Sequence, residues 1–384
     1  MHISVRWAAT ALLASASMVA QAQYRAEFLE DSKAWGSVVA DFNNDGHDDI
    51  FVCGHHSEDR VWYWTSTGYK PSEQILEWVD RHDCDAADVD HNGRLDLYCA
   101  VGAEKGTGDG PKELWLQGED GIFTLAQNHG AEDPYGRGRL PIFMDFNHDG
   151  FADIYLANLS TTRDDGQANI NHMFINQGDG HFVEKPTLAT GDRGAQCVAK
   201  GDINRDGWDD LVVCHEKVQG HVYVNNQEGD FEEVLPPALR GEWTFAKLRD
   251  MNGDGRDDLL LIRDKTVFEI WFNTGRAPYF EKLSFTDKLP GIGTSFTVGE
   301  FTGDSRPDVY VTLKDASCDT TLVDKAPDVI YKSKPRGIGW QRSVLTQQNY
   351  AGCGHLADTV DGTKVLLENG QIDDRGPNYV LSFR

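Results

Sequence analysis

Ten residues, Asp41 to Ile50 (DFNNDGHDDI), place oxygen-bearing side chains at positions 1, 3, 5 and 9, a glycine at 6 and the start of an aliphatic run at 10. The chain repeats this skeleton. The first copy offers Asp41, Asn43, Asp45 and Asp49, the second Asp88, Asp90, Asn92 and Asp96, and the third Asp145, Asn147, Asp149 and Asp153. The fourth offers Asp202, Asn204, Asp206 and Asp210, and the fifth Asp250, Asn252, Asp254 and Asp258. A sixth copy has Glu300, Thr302, Asp304 and Asp308 but puts Ser305 in the glycine's place, and a seventh, around Asp358 and Asp361, has lost the spacing.

Alternate oxygen side chains in a tight loop are what a hard cation such as Ca²⁺ requires, since it takes six to eight oxygens at roughly 2.3 to 2.6 Å. Glycine at position 6 reaches positive φ without steric cost and so permits the turn. An EF-hand begins alike but closes with a glutamate at position 12 between two helices. Here position 12 of the first copy is Val52, inside a strand-like run, so that alternative fails. A single Asp/Asn/Gly loop is as often an ordinary turn. Five in register predict about five Ca²⁺ sites, with copies six and seven weak or silent.

The elements that position these loops follow from their spacing. The first ligands stand at 41, 88, 145, 202, 250, 300 and 358. A short apolar strand precedes each loop and another follows it, and most repeats add a glycine turn between two more, as in HVYVNNQEGDFEE at 221 to 233. Helical periodicity is absent. Repeats of about fifty residues filled with strands predict propeller blades, so the fold expected is all-β, a seven-bladed β-propeller over residues 23 to 384.

Residues 1 to 22 carry Arg6, an apolar run from Trp7 to Ala20 and a small-residue exit, the pattern of a secretory signal peptide. That run is short for a membrane span. The expected product is secreted, extracellular or periplasmic in a Gram-negative source, with no membrane span. The whole chain has a formal charge of −26, which argues against nucleic acid and anionic membrane as partners. Export permits disulfides. Cys84 and Cys99 bracket the second loop and Cys197 and Cys214 the fourth, so each pair is expected to bridge one hairpin, with Cys53, Cys318 and Cys353 unassigned.

The DxNxDGxxD loops joined to strand pairs such as HMFINQGDGHFVE at 172 to 184 resemble the FG-GAP or VCBS repeat family, the propeller type at the head of integrin α chains. The resemblance spans residues 24 to 384 and implies the propeller and Ca²⁺. It leaves activity open, because that family includes adhesion domains, lectins, polysaccharide lyase propellers and accessory proteins of biosynthetic pathways.

In the seventh repeat, Tyr379 to Phe383 takes the place of a third strand and no chain remains for a fourth. Tyr24 to Leu29 is the expected substitute, closing the ring between the termini. With the acidic loops on the bottom face, ligand-binding loops are expected on the top. Two readings stand there. In the first, the protein is a ligand-binding module for a glycan, an extracellular protein or a small molecule, using Trp78, Asp83, Asp133, Tyr135, Arg139 and Trp243. In the second it is an enzyme, a polysaccharide lyase or a cyclase or isomerase, using His82, His129 and His215 with neighbouring carboxylates as acid and base. No HExxH, GxSxG or P-loop pattern supports the second. Tryptophans within strands, Trp62, Trp64, Trp115 and Trp271, are expected to pack between blades.

Overall fold

The computed structural model describes residues 24–32, 34–102, 110–159, 169–191, 194–215, 218–314, 327–334, 339–345, 355–369 and 376–383. The leader expected at 1 to 22, Cys318 and Cys353 lie outside them.

Seven antiparallel blades of four strands follow one another along the chain. Their first strands are Ala34–Ala40, Leu76–Ala87, Gly138–Met144, Ala195–Gly201, Trp243–Arg249, Ile292–Gly299 and His355–Val360. Each of these packs against the first strand of the next blade, and the last against the first, so together they line the axis of a closed ring.

The second strands of blades 1 to 6 all begin at the position 9 aspartate: Asp49–Asp59, Asp96–Val101, Asp153–Asn158, Asp210–His215, Asp258–Arg263 and Asp308–Lys314. Asp96–Val101, Asp153–Asn158 and Asp210–His215 are buried at every residue. A strand covered on both faces has no polar side to show, which is why these read as unbroken apolar runs. Seven apolar clusters fill the seven junctions between blades. In the last of them Leu29 packs with Ile50 and Val52 of blade 1 and with Val360, Leu366 and Val380 of blade 7.

The outermost strand of blade 7 is Tyr24–Ser32, antiparallel to Gly376–Phe383 with Tyr24 opposite Phe383 and Phe28 opposite Tyr379. Chain start and chain end therefore share one sheet. Cys84 pairs with Cys99 and Cys197 with Cys214 as disulfides across facing strands, while Cys53 is buried and free.

The polar segments 54 to 60 and 79 to 85, which the sequence alone would place in top-face loops, are strand except at Arg60. The end of Asp49–Asp59 pairs with the start of Leu76–Ala87, His55 opposite Asp80 and Asp59 opposite Leu76, which merges blades 1 and 2 into one sheet. Arg81 locks this extension. Its guanidinium is fully buried and donates to Asp59 at 2.8 Å and to Glu113 at 2.7 Å, so the charge is offset on both sides.

Candidate functional site

Six bottom loops share one backbone. Position 6 has positive φ in all of them, from 77° at Gly255 to 88° at Gly150, and Ser305 adopts 62°. Position 4 is left-handed as well: Asn44, His91 and His148 at 58°, Arg205 at 63°, Gly253 at 80° and Gly303 at 75°. This second left-handed position was not visible in the sequence, because asparagine, histidine and arginine fill it as well as glycine.

The position 1 aspartate organises the turn. Asp41 accepts the N–H groups of Asp45 at 3.0 Å and Gly46 at 2.7 Å, and Asp88, Asp145, Asp202 and Asp250 accept the equivalent pair. At position 3, Asn43 accepts the N–H of Asp45 at 2.9 Å, and Asp90, Asn147, Asn204 and Asn252 accept the equivalent N–H. In the second loop Asp88, Asp90 and Asp96 bring one carboxylate oxygen each within 4.8 Å of one another.

The position 9 aspartate has a role beyond that of a candidate ligand. Asp210, fully buried, accepts the Ile203 N–H on one oxygen and the Asn225 N–H on the other, both at 2.8 Å, and so ties the loop to the end of the third strand. Asp49, Asp96, Asp153, Asp258 and Asp308 make the same pair of bonds. Burial, with the loop's other carboxylates adding, pushes Asp49 up to about 6 and Asp96, Asp153, Asp210 and Asp258 to about 7 against the pull of those N–H donors. An oxygen-only donor set with a buried acid held this far from its usual range is one that a hard divalent cation fits, since positive charge there relieves both causes.

The sixth loop separates the two roles. Thr302 donates its hydroxyl to Asp308 at 2.8 Å, and the Arg306 guanidinium bonds the Asp304 carboxylate, so an internal cation stands beside the ligand set. Asp308→Ala should leave the Phe301 and Ser333 N–H groups unsatisfied at a cost of about 3 kcal/mol. Urea denaturation should give that cost equally with calcium and with chelator. A cost that disappears in chelator would show Asp308 acting as a ligand instead.

On the top face the candidates form separate groups. Asp133 accepts from Asn158 Nδ2 at 2.8 Å, with His172 Nε2 at 3.6 Å and Lys112 Nζ at 3.8 Å. Tyr135 is 45% exposed. Arg139 lies over the Trp35 ring at 4.4 Å, and the His82 ring stacks on Trp35 at 5.0 Å. Asp83, half-buried on a first strand, accepts the Cys84 N–H, and burial with Glu368 nearby drives its carboxyl well up. The side chain of Trp78 lies outside the described residues.

Trp243 must be reassigned. It is fully buried between blades 4 and 5 and donates its indole N–H to the Leu239 carbonyl at 3.0 Å, so it presents no face to a ligand. The three histidines are buried too, each among different partners. His82 bonds the Gly138 carbonyl at 2.8 Å, His129 the Lys112 carbonyl at 3.2 Å, and His215 meets the His221 ring edge-on. Burial lowers the His129 pKa. A polar cavity of about 490 Å³ lies elsewhere, at the closure seam, lined by Arg25, Glu27, Ser66, Thr67, Gly68 and Ser382.

One further set escaped the sequence. The first strands of blades 1 to 6 each carry a bulge at the same place, and the extra residues are Trp35, His82, Arg139, Gln196, Thr244 and Thr294. All stand six residues before the first ligand position, at the top end of the axis. His82 bonds the Gly138 carbonyl and Gln196 donates to the Trp243 carbonyl at 3.0 Å, in both cases reaching the bulge of the next blade. Bulges re-aim side chains, and here they do so around one ring.

Among solved structures, the chain is similar to BBS1N in complex with ARL6DN, soaked with mercury (TM-score 0.55, 8% identity, 95% of this chain and 98% of that one covered). The same complex soaked with lead gives a TM-score of 0.58 at 9% identity with equal coverage. At such identity the likeness is one of fold. No curated protein matches the sequence. The FG-GAP-like repeat matches residues 41–99, 88–156, 145–213 and 250–311. With four repeat matches, three of them overlapping, covering more than half of its length, on blades built as described, the chain belongs to the FG-GAP-like repeat family.

Proposed function

We propose that the protein is an exported, calcium-loaded propeller that acts as a ligand-binding module, taking its ligand at the top of the axis, with glycans as the ligand class. The observation that carries this reading is the ring of six bulges, which sets Trp35, His82, Arg139, Gln196, Thr244 and Thr294 at one level, at the top end of the axis of a closed scaffold. A guanidinium pairs with sugar hydroxyls and carboxylates, and the exposed Tyr135 lies four residues before Arg139. On the bottom face the five complete loops would hold Ca²⁺ through positions 1, 3, 5 and 9, making the scaffold rigid enough to keep that mouth in shape. Export is supported by the leader pattern and by two disulfides, which persist in oxidising compartments. Cleavage after Ala22 would start the mature chain one residue before the closing strand.

The test is a glycan array probed with the calcium-loaded mature chain, with chelator, and with Arg139→Met. Calcium-dependent binding to a related set of sugars, lost in Arg139→Met at an unchanged melting temperature, is the expected result. Silence across the array rejects the glycan class. Since BBS1N is described in complex with ARL6DN, a protein ligand is then the class to pursue.

A further inference from the structure

We propose that the five complete loops bind their cations cooperatively, with the side chain at position 4 of each loop as the coupling element. This rests on the calcium reading above.

The position 4 side chain leaves its own loop and lands on the next one. Asn44 Nδ2 donates to the Gly93 carbonyl, position 6 of the second loop, at 3.3 Å. His91 Nε2 lies 3.2 Å from the Gly150 carbonyl, again position 6, and its ring stacks on Phe151 at position 7, 4.4 Å away. His148 stacks on Trp208, position 7 of the fourth loop, at 4.9 Å. The Arg205 guanidinium lies against Gly255, position 6 of the fifth, close enough that a Cβ there would be 3.5 Å from it.

The contacts stop where the complete loops stop. Position 4 of the fifth loop is Gly253, with no side chain to reach blade 6, and position 4 of the sixth is Gly303. Beyond them internal cations stand within single loops. Arg306 bonds Asp304, and between blades 7 and 1 Asp48 and Asp361 accept each other's N–H groups while Lys364 donates to Asp361 at 2.6 Å. The linked sites are thus an arc with two ends.

The physical basis is shared ordering. A cation that draws positions 1, 3 and 5 of one loop together fixes the left-handed residue between them and so aims its side chain. That side chain rests on the turn of the next loop, at positions 6 and 7, and position 7 is where a calcium loop of this spacing adds a main-chain carbonyl. A neighbour already ordered loses less conformational entropy when it binds. By linkage the effect is mutual.

Terbium serves as the probe. Its luminescence at loop 4 is the component lost in Trp208→Phe. Disabling loop 3 with Asn147→Ala and Asp149→Ala should weaken loop 4 by about fivefold or more in the otherwise native chain. In His148→Gly, which keeps every ligand and suits the φ of 58°, disabling loop 3 should leave the loop 4 midpoint where it was. A second measurement needs no ligand substitution: the Hill slope of a calcium titration should exceed one in the native chain and fall to one in the Asn44→Gly, His91→Gly, His148→Gly, Arg205→Gly protein. Equal shifts with and without His148, or a native slope of one, would overturn the coupling and leave the cation sites standing. No terbium signal and no calcium heat would overturn both.

Discussion

Stripping the purified protein of divalent cations is expected to lower its melting temperature by about 15 °C. A ligand present at a hundred times its dissociation constant and bound only to the native state contributes about 2.7 kcal/mol per site, so five sites supply on the order of 13 kcal/mol. That is comparable with the whole stability of an ordinary domain, about 5 to 15 kcal/mol. Dividing by an unfolding entropy of about 2.1 cal/mol/K per residue over the mature chain gives the shift in degrees. The structure explains why the sites should matter so much. Position 9 carboxylates are buried at the base of every loop, and in four of the five complete loops they are pushed to about 7. Without a cation the chain must hold these acids beside the two or three others that share each loop. Blades 6 and 7 escape this through Arg306 and Lys364, so the loss should be confined to blades 1 to 5, and hydrogen exchange in chelator should rise there first. Scanning calorimetry with and without excess chelator decides it. An identical melt in both would remove the cation sites from the account.

What could be read from the sequence was what repeats in residue type. Five Asp/Asn/Gly skeletons marked the blades, and the cysteines placed symmetrically about two of them, Cys84 and Cys99 and then Cys197 and Cys214, stand at bonding distance. What could not be read depended on partners distant in the chain. Trp243 sits in a stretch that reads like a top loop, yet it is paired in the sheet beside the bulge and its indole N–H bonds the Leu239 carbonyl. His82 and His129 look free in polar segments, and each is claimed by the carbonyl of a residue far along the chain. The bulges themselves lie at a constant spacing, but tryptophan, histidine, arginine, glutamine and threonine share no property that would mark the position. Even position 9, correctly picked out as acidic, hid its second task, because its N–H donors come from the loop's own position 2 and from the end of the third strand.

The strand that joins the two ends of the chain gives the other large expected effect. Deleting residues 23 to 30 should lower the melting temperature by about 10 °C or more. Two losses combine. Leu29, only 4% exposed, packs in the cluster between blades 7 and 1, and emptying such a site alone costs about 2 to 5 kcal/mol. The deletion also uncovers the backbone of Gly376–Phe383, creating an open sheet edge and inviting pairing with other chains. Glu27 adds a tie to blade 1, accepting the Tyr69 N–H at 2.8 Å, so the strand holds two blades and not one. Leu29→Ala isolates the packing part and should cost about 3 kcal/mol without aggregation, while the deletion should aggregate on heating. A synthetic peptide of residues 24 to 32 added to the shortened chain should restore much of the lost stability, since the vacated edge offers the same hydrogen bonds to a strand supplied from outside. If the shortened protein melts where the full one does, the ring is held by the axial contacts of its first strands alone and the terminal strand is ornament.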